Sequence, residues 1–521
     1  MLWLALHLPL LPLEAFCATL AADAAPRPVA LLAEHQLTQI NALAAECGLR
    51  PGLKRATALA LAPDLLIAES APAREAAALQ AVAHAALAFT PCVTRQDAQT
   101  LLLEVQASLR LFGGLPALRQ RLVEALAPLG HRVQMAAAPT ARGAALLAQW
   151  NPRGGGDLVL GEHATQRSAL QALLDAAPVG LLGPGSEHGQ ALQGMGLHTL
   201  ADLRALPRAG LARRFGEGLL VDLDRALGRR ADPRRWLGLP ATFESRLELH
   251  TRAENTEQVL HGAAVLLARL VAWAQAQHAR VGAFTLRMLH ERQRQTTAPP
   301  TLLRVELAEP ALDAVHLQGL LRERLARCQL AQPTLELQLL CRDVVAGHAP
   351  NGELFPTAAS QAEGLARLLE RLRARLGDEQ VQCLVPVADH RPERASRRVP
   401  AQTGPMGPMG PTGSRPASVG RAAAGPTAAA TLGALPLDRP AWLLPEPQPL
   451  AEHEGLPLLQ GHALQLLSGP ERIEAGWWDG APAARDYFIA GAADGSLVWV
   501  WRARLPVQRG EVNWYLQGRF A

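Results

Sequence analysis

Apolar residues along the first 165 positions recur in two rhythms. A short continuous run at Leu2–Leu8 predicts a buried strand, since a strand covered on both faces needs no alternation. Helical spacing follows around Thr38–Cys47 and Arg74–Phe89, then a strand at Thr100–Val105, a helix at Leu115–Leu129 and a strand at Arg132–Ala137. That order predicts a split βαβ unit, a ferredoxin-like layer, interrupted by a small helical insert. Residues 166–235 predict consecutive short helices punctuated by glycine, with tight turns at Gly183-Pro184-Gly185 and Gly194-Met195-Gly196. Between 243 and 388, strands at Phe243–His250, Ala283–Leu289, Leu302–Leu307 and Thr334–Leu340 alternate with helices at Thr256–Gln277, Asp313–Cys328 and Gln361–Leu376.

A chain of 521 residues exceeds what one hydrophobic core organises. The changes of rhythm divide it at 1–165, 166–240 and 241–398, with a linker at 399–437 and a C-terminal module at 438–521. Apolar residues are 49% of the chain but aromatics only 4%, so leucine and alanine must fill the cores of a helix-rich, multidomain α+β fold. The net charge of +4 is too small for this length to name an acidic partner. Lys54 is the single lysine, a bias read first as genome composition and second as a use of the guanidinium fork on phosphates. Six widely spaced cysteines, without a C-x-x-C pair or a zinc spacing, predict reduced thiols in a cytoplasmic protein. The apolar N-terminus lacks a basic leader and contains Pro9 and Pro12, which reads as strand and turn and not as a signal peptide.

From Ala401 to Ala430 eleven of thirty residues are Gly or Pro, the composition of a disordered linker. Nine of the 21 aromatics then fall between Glu471 and Ala521, which implies a small folding module. There Trp477, Trp478, Tyr487, Trp499, Trp501 and Trp514 are interleaved with Arg472, Arg485, Arg502 and Arg504. Such a mixture suits base stacking, while the alternation of Leu497–Trp501 also makes a strand with Trp499 and Trp501 on one core face. Between Arg208 and Arg235 eight arginines meet four acids, suited to phosphate contact or to a solvated face with internal ion pairs. Arg280, Arg287, Arg292 and Arg294 add positive charge further on, and Arg391, Arg394, Arg397 and Arg398 form a basic cluster.

Gly48 and Gly52, followed by a helix that closes on Pro63-Asp64-Leu65, resemble the fingers signature of Y-family DNA polymerases. Leu103-Glu104-Val105, with Leu111-Phe112-Gly113-Gly114 after it, is similar to the second palm strand and its continuation in the ImuB subfamily. Gly469-Pro470-Glu471-Arg472, Gly476-Trp477-Trp478-Asp479-Gly480 and Arg485-Asp486-Tyr487 resemble that subfamily's C-terminal signature. The resemblance spans nearly the whole chain outside the linker. It implies the right-hand architecture of the Y family: a ferredoxin-like palm and small fingers, a helix-hairpin-helix-like thumb, a little finger and a C-terminal interaction module.

For chemistry the resemblance implies loss. Active members carry D-x-D on the first palm strand and S-x-D-E before the second, to hold two magnesium ions across the attacking and leaving oxygens. Residues 1–13 contain no acid, and alignment on Leu103-Glu104-Val105 puts Gln99 and Thr100 at the D-E pair. Asp97 and Glu14 are the residual acids. The fingers tyrosine and arginine of the family fall at Ala42 and Ala45, and a phosphate-contacting lysine falls within Thr140-Ala141-Arg142, where Arg142 offers a partial substitute.

The chain is thus expected to be a catalytically inactive, cytoplasmic and nucleoid-associated bacterial protein without the two-magnesium site. It would bind primer-template DNA through Gly183, Gly185, Gly194, Gly196, Thr199, Arg208, Arg213, Arg214, Arg280 and Arg287. Its other expected partners are the sliding clamp, an error-prone DnaE-type polymerase and a RecA-like accessory protein of the ImuA type, in translesion synthesis and damage-induced mutagenesis. Leu354-Phe355 resembles the end of a clamp-binding peptide, or closes an ordinary buried turn; Arg472, Trp477, Trp478, Arg485 and Tyr487 are the expected partner-binding residues. The alternatives are a weakly active Y-family DNA-directed DNA polymerase using displaced acids, and a plain DNA-binding module.

Overall fold

The computed structural model describes residues 1–20, 27–150, 167–291, 299–330, 332–347, 358–401, 439–504 and 513–520. It divides into two compact units, Met1–Arg375 and Leu376–Ala521.

The first unit begins with a four-stranded antiparallel sheet, in the order Val93–Arg95, Thr100–Glu104, Trp3–His7, Gln134–Ala138. Trp3–His7 is central and apolar on both sides because both faces are covered. Leu4 and Leu6 face the helices Pro72–Leu87 and Leu115–Leu126, while Trp3 and Ala5 face the helix Ala141–Trp150. The register pairs His7 with Thr100 on one side and with Gln134 on the other, so the polar ends of three strands converge.

The insert between these strands is not wholly helical. Val29–Ala33 pairs with Gln36–Ile40 and, in parallel, with Leu66–Glu69, and only the short helices Ala42–Glu46 and Arg55–Leu61 accompany them. Thr38 therefore lies in a strand. Helix begins only after Asn41, whose side-chain oxygen accepts hydrogen bonds from the Ala44 and Val29 amides, capping the helix and pinning the sheet together.

Six short helices fill 167–226, and their apolar sides (Leu170, Leu174, Leu200, Leu219, Leu223) join the core around Ala141–Trp150. A second antiparallel sheet follows in the order Thr301–Ala311, Ala279–His290, Thr334–Ala346, Phe243–Ala253. The helices Thr256–Ala276 and Ala314–Ala326 bury Leu266, Leu270, Leu317 and Leu321 on one of its faces. Thr256–Ala276 is long and apolar enough to cross a membrane, but its apolarity is used internally: Trp273 belongs to the core of the second sheet and Ala272 to that of the first.

The second unit joins a hairpin, Gln382–Pro386 with Ser396–Pro400, to a seven-stranded sheet built from Trp442–His453, Leu456–Leu459, His462–Ala463, Gln465–Ala475, Ala483–Gly491, Leu497–Ala503 and Trp514–Arg519. Its strand Leu497–Ala503 splits by alternation: Val498 and Val500 enter one core, Trp499 and Trp501 another with Tyr487 and Ile473. The hairpin was expected to belong with 241–398. It falls instead in the C-terminal unit, because Arg391 beside it binds Asp479 and the Ala481 carbonyl at the far end of that sheet. The expected linker, apart from its first three residues, lies outside the described residues.

Candidate nucleic-acid interface

At the end of the first sheet the positions expected to carry catalytic acids are neutral. His7 Nδ1 and Thr100 Oγ1 lie 3.0 Å apart, Thr100 is fully buried, and the Gln99 carbonyl accepts from the Leu8 amide at 2.9 Å. Burial lowers the His7 pKa, with Asp97 opposing, which favours a neutral imidazole. Asp97 is the only carboxylate of the group, and its oxygens already accept from the Gln99 amide at 2.9 Å and from Gln149 Nε2 at 2.8 Å. Two hard dications ask for several anionic oxygens held open. One engaged carboxylate, a threonine, two glutamines and an imidazole do not fit the two magnesium ions of active relatives. His7 was missed from the sequence; its place as the last polar residue of an apolar strand, before Pro9, was the signal.

Glu14 does not join this group. It accepts from the Arg132 amide at 3.1 Å and lies 3.4 Å from His131 Nδ1, which fixes the entry to Gln134–Ala138. Ala42 and Ala45 sit exposed on one face of their helix and offer no polar atom. Arg142 is not available as a phosphate ligand. It is 5% exposed, pairs with Asp222 through two contacts of 2.8 Å, and donates to the Leu181 carbonyl. It is a strut between the first sheet's helix and the helical segment.

Of the two expected glycine turns only the second is one, because Gly183, Pro184 and Gly185 open the short helix Gly183–Glu187. At Gly185 an added Cβ would collide with the Val179 carbonyl, so glycine is required by a close backbone approach. The Gly183 amide is taken by Asp222 at 3.1 Å. Gly194 ends the helix Gly189–Gly194, and Gly196, at φ +78°, leads the chain away from it. The amides of Met195, Gly196 and Leu197 bond to Leu192 and Gln193 carbonyls, and Thr199 forms a reciprocal capping box with Asp202. The second turn is therefore a helix stop and restart whose amides are used internally, and it is not a free phosphate cradle.

Among the basic candidates, Arg208 is held bidentately by Asp224, Arg234 by Asp232 and Gln96, while Arg225 lies 3.8 Å from Asp232. Arg213 and Arg214 are exposed in the last turn of Arg208–Phe215, and no carboxylate pairs with them among the described residues. On the second sheet, Arg287 lies on the face away from the helices in a cross-strand row with Leu302, Gln338 and Arg246. That face also holds Glu244, Glu248, Glu306 and Glu336, with Arg246 paired to Glu336 and Arg304 to Glu306, so it is not a basic stripe. Arg280 is partly buried beside Gly347, its Nε without a partner. Arg292, Arg294, Leu354 and Phe355 lie outside the described residues.

In the second unit the partner-binding candidates separate into inside and outside. Tyr487 is 1% exposed, stacks on Trp499 with ring centres 4.2 Å apart, and burial pushes its phenol up to about 12. Arg485 lies 4.6 Å from the Trp501 ring centre and donates to the Tyr487 hydroxyl and to Glu393. Tyr487 is thus a core residue, and Arg485 is half-buried against it. Arg472 is exposed and paired across the strands with Asp486 at 2.9 Å. Trp477 and Trp478 stand out at 79% and 52% exposure on the turn between Gln465–Ala475 and Ala483–Gly491. The turn is fixed by Asp479, which Arg391 and Arg394 grip at 2.6 Å each and hold as an acid of pKa about 2.

Two sheets with a helical segment between them, and a β-rich C-terminal unit after them, define a multidomain α+β chain. No family model matches it. It is 31% identical over 487 residues to Protein ImuB of Caulobacter vibrioides strain NA1000 / CB15N, a match that covers 91% of this chain and 100% of the relative. Protein ImuB of the same species, strain ATCC 19089, matches with the same figures. Among solved structures, an insertion ternary complex of Dbh DNA polymerase is 14% identical at a TM-score of 0.37, covering 67% of this chain and 100% of that one. DinB from Sulfolobus solfataricus is 15% identical at a TM-score of 0.34, with the same coverage. The chain belongs to the ImuB family.

Proposed function

We propose that this protein binds primer-template DNA without transferring nucleotides, and that it recruits an error-prone DnaE-type polymerase and the sliding clamp for translesion synthesis and damage-induced mutagenesis. The observation that carries the silent-site half is the His7–Thr100 contact at the strand ends, with Asp97 the one carboxylate nearby and both of its oxygens engaged. DNA contact draws on Arg213 and Arg214, the exposed guanidinium groups of the helical segment without an acid partner among the described residues. Family membership supports the recruiting role, with the clamp taken by Leu354 and Phe355 and the polymerase and an ImuA-type accessory protein by the C-terminal unit. Such work belongs to the bacterial cytoplasm and nucleoid.

The second reading, weak polymerase activity, rests on Asp97 alone. Primer extension by the purified full chain with magnesium or manganese separates the two. The proposal expects no extension above a protein-free control, together with DNA affinity that falls steeply with salt. Metal-dependent extension abolished by Asp97→Ala would establish the second reading.

A further inference from the structure

Where the helix Pro72–Leu87 meets the second sheet, the first unit has an open cavity of about 670 Å³. Ala73, Ala77 and Ala81, spaced one turn apart, make a low wall on the helix side, with Gln80 and His84 beside them. Ser245 and Arg269 form the opposite wall. Arg269 lies in Thr256–Ala276 and is 5% exposed. Its Nη1 donates to Ser245 Oγ at 3.2 Å and to the Arg246 carbonyl at 3.4 Å, both neutral acceptors. Among the described residues no carboxylate pairs with it, in contrast to the equally buried Arg142 and Arg391.

A guanidinium taken out of water ordinarily brings its counter-charge along, because an uncompensated buried charge is costly. Burial brings the Arg269 guanidinium down to about 10. Arg74 lines the same cavity, and its Nε has no hydrogen-bond partner. Glu244 and Glu248 also line it, but both are exposed. We infer that this cavity is a binding site for a small phosphate-bearing oxyanion, held by the Arg269 guanidinium with Arg74 and Gln80 around it. A phosphate supplies both things the site lacks, negative charge and paired acceptors matched to the guanidinium fork. Because the walls come from two layers of the fold, an occupant ties them together and stabilises the native state. The site is separate from the proposed DNA contacts at Arg213 and Arg214, and each stands if the other fails.

Thermal unfolding and calorimetric titration of the full chain with inorganic phosphate, against sodium chloride at matched ionic strength, test this. Phosphate is expected to raise Tm in the wild type, and Arg269→Met to weaken phosphate binding by about tenfold or more. Ala77→Leu narrows the cavity from its helix-side wall without touching a charge and should diminish the response; the double variant Arg213→Glu, Arg214→Glu should keep it. If Arg269→Met does not fold, Ala77→Leu decides alone. A 5′-phosphorylated oligonucleotide compared with its 5′-hydroxyl counterpart identifies the source: a gain with the phosphorylated strand assigns a DNA end, and a response to inorganic phosphate alone assigns a free oxyanion. Absence of a phosphate-specific rise in the wild type, or an undiminished rise in Ala77→Leu, overturns the site.

Discussion

Asp97 and Glu14 both hold their carboxylates in internal hydrogen bonds. Asp97 organises the turn before Thr100–Glu104, and Glu14 holds the Arg132 amide. Replacing either with alanine should cost about 1–2 kcal/mol of stability through the lost acceptor. Damage-induced mutagenesis should stay near the wild-type level once protein amount is equalised; a large loss with normal protein level and DNA affinity would restore a metal role. Arg142 is the opposite case, since its function depends on a partner 80 residues away. Arg142→Ala leaves Asp222 with the Gly183 amide alone and should destabilise by about 3 kcal/mol in chemical denaturation, the range for breaking a largely buried pair. Spacing in the chain cannot disclose such a pair, so the sequence reading placed Arg142 near phosphate when the fold spends it on structure. His84 adds a pH dependence: burial lowers its pKa from 6.5 to about 4. The unfolded chain then binds the extra proton between those values, so stability is full above about pH 6.5 and falls as pH drops toward about 4. In phosphate-free buffer, His84→Leu should flatten that part of the stability profile.

Elements with an uninterrupted apolar period were legible from the residues alone. Trp3–His7, Pro72–Leu87 and Thr256–Ala276 lie within a residue or two of their expected bounds, because burial on one or both faces dictates the pattern. Gln36–Ile40 was not legible, since polar Gln39 stands where the alternation calls for an apolar residue, and its pairing is pinned by Asn41. Gly194 and Gly196 were legible as a turn, whereas Gly183 and Gly185 fall in the helix Gly183–Glu187. Gly185→Ala should destabilise the helical segment by several-fold more than Gly194→Ala, because only the former meets a backbone oxygen; comparison of the two midpoints in urea checks this. Among the arginines, the double reversal Arg213→Glu, Arg214→Glu should weaken DNA binding and lower the slope of log affinity against log salt by about 2, roughly one for each lost phosphate contact. Arg208→Gln should do less, since Asp224 already competes for that guanidinium. An unchanged slope in the double variant would move the DNA contact elsewhere.

For the molecule as a whole, the position of the second unit's first residue determines how its role can be isolated. Composition places a break at the Gly/Pro-rich stretch beyond Ala401, but the hairpin before it is energetically committed to the C-terminal sheet. Arg391 is 2% exposed and bonds to Asp389, Asp479 and the Ala481 carbonyl, while Glu393 bonds to Arg485. Truncation after Pro400 removes Asp479, Ala481 and Arg485 together. It leaves Arg391 with Asp389 alone and uncovers a two-stranded hairpin, which is marginal in water by itself. Truncation after Gly377 removes both halves of that network at once and leaves the two sheets of the first unit, with their cores, intact. The shorter chain should therefore be the more soluble and protease-resistant of the two, and should retain salt-sensitive DNA binding while losing association with the accessory protein and the partner polymerase. Limited proteolysis of both truncations, followed by DNA titration and pull-down, measures each part. Capture of those partners by the shorter chain would show that the C-terminal unit, with its exposed Trp477 and Trp478, is not where they bind.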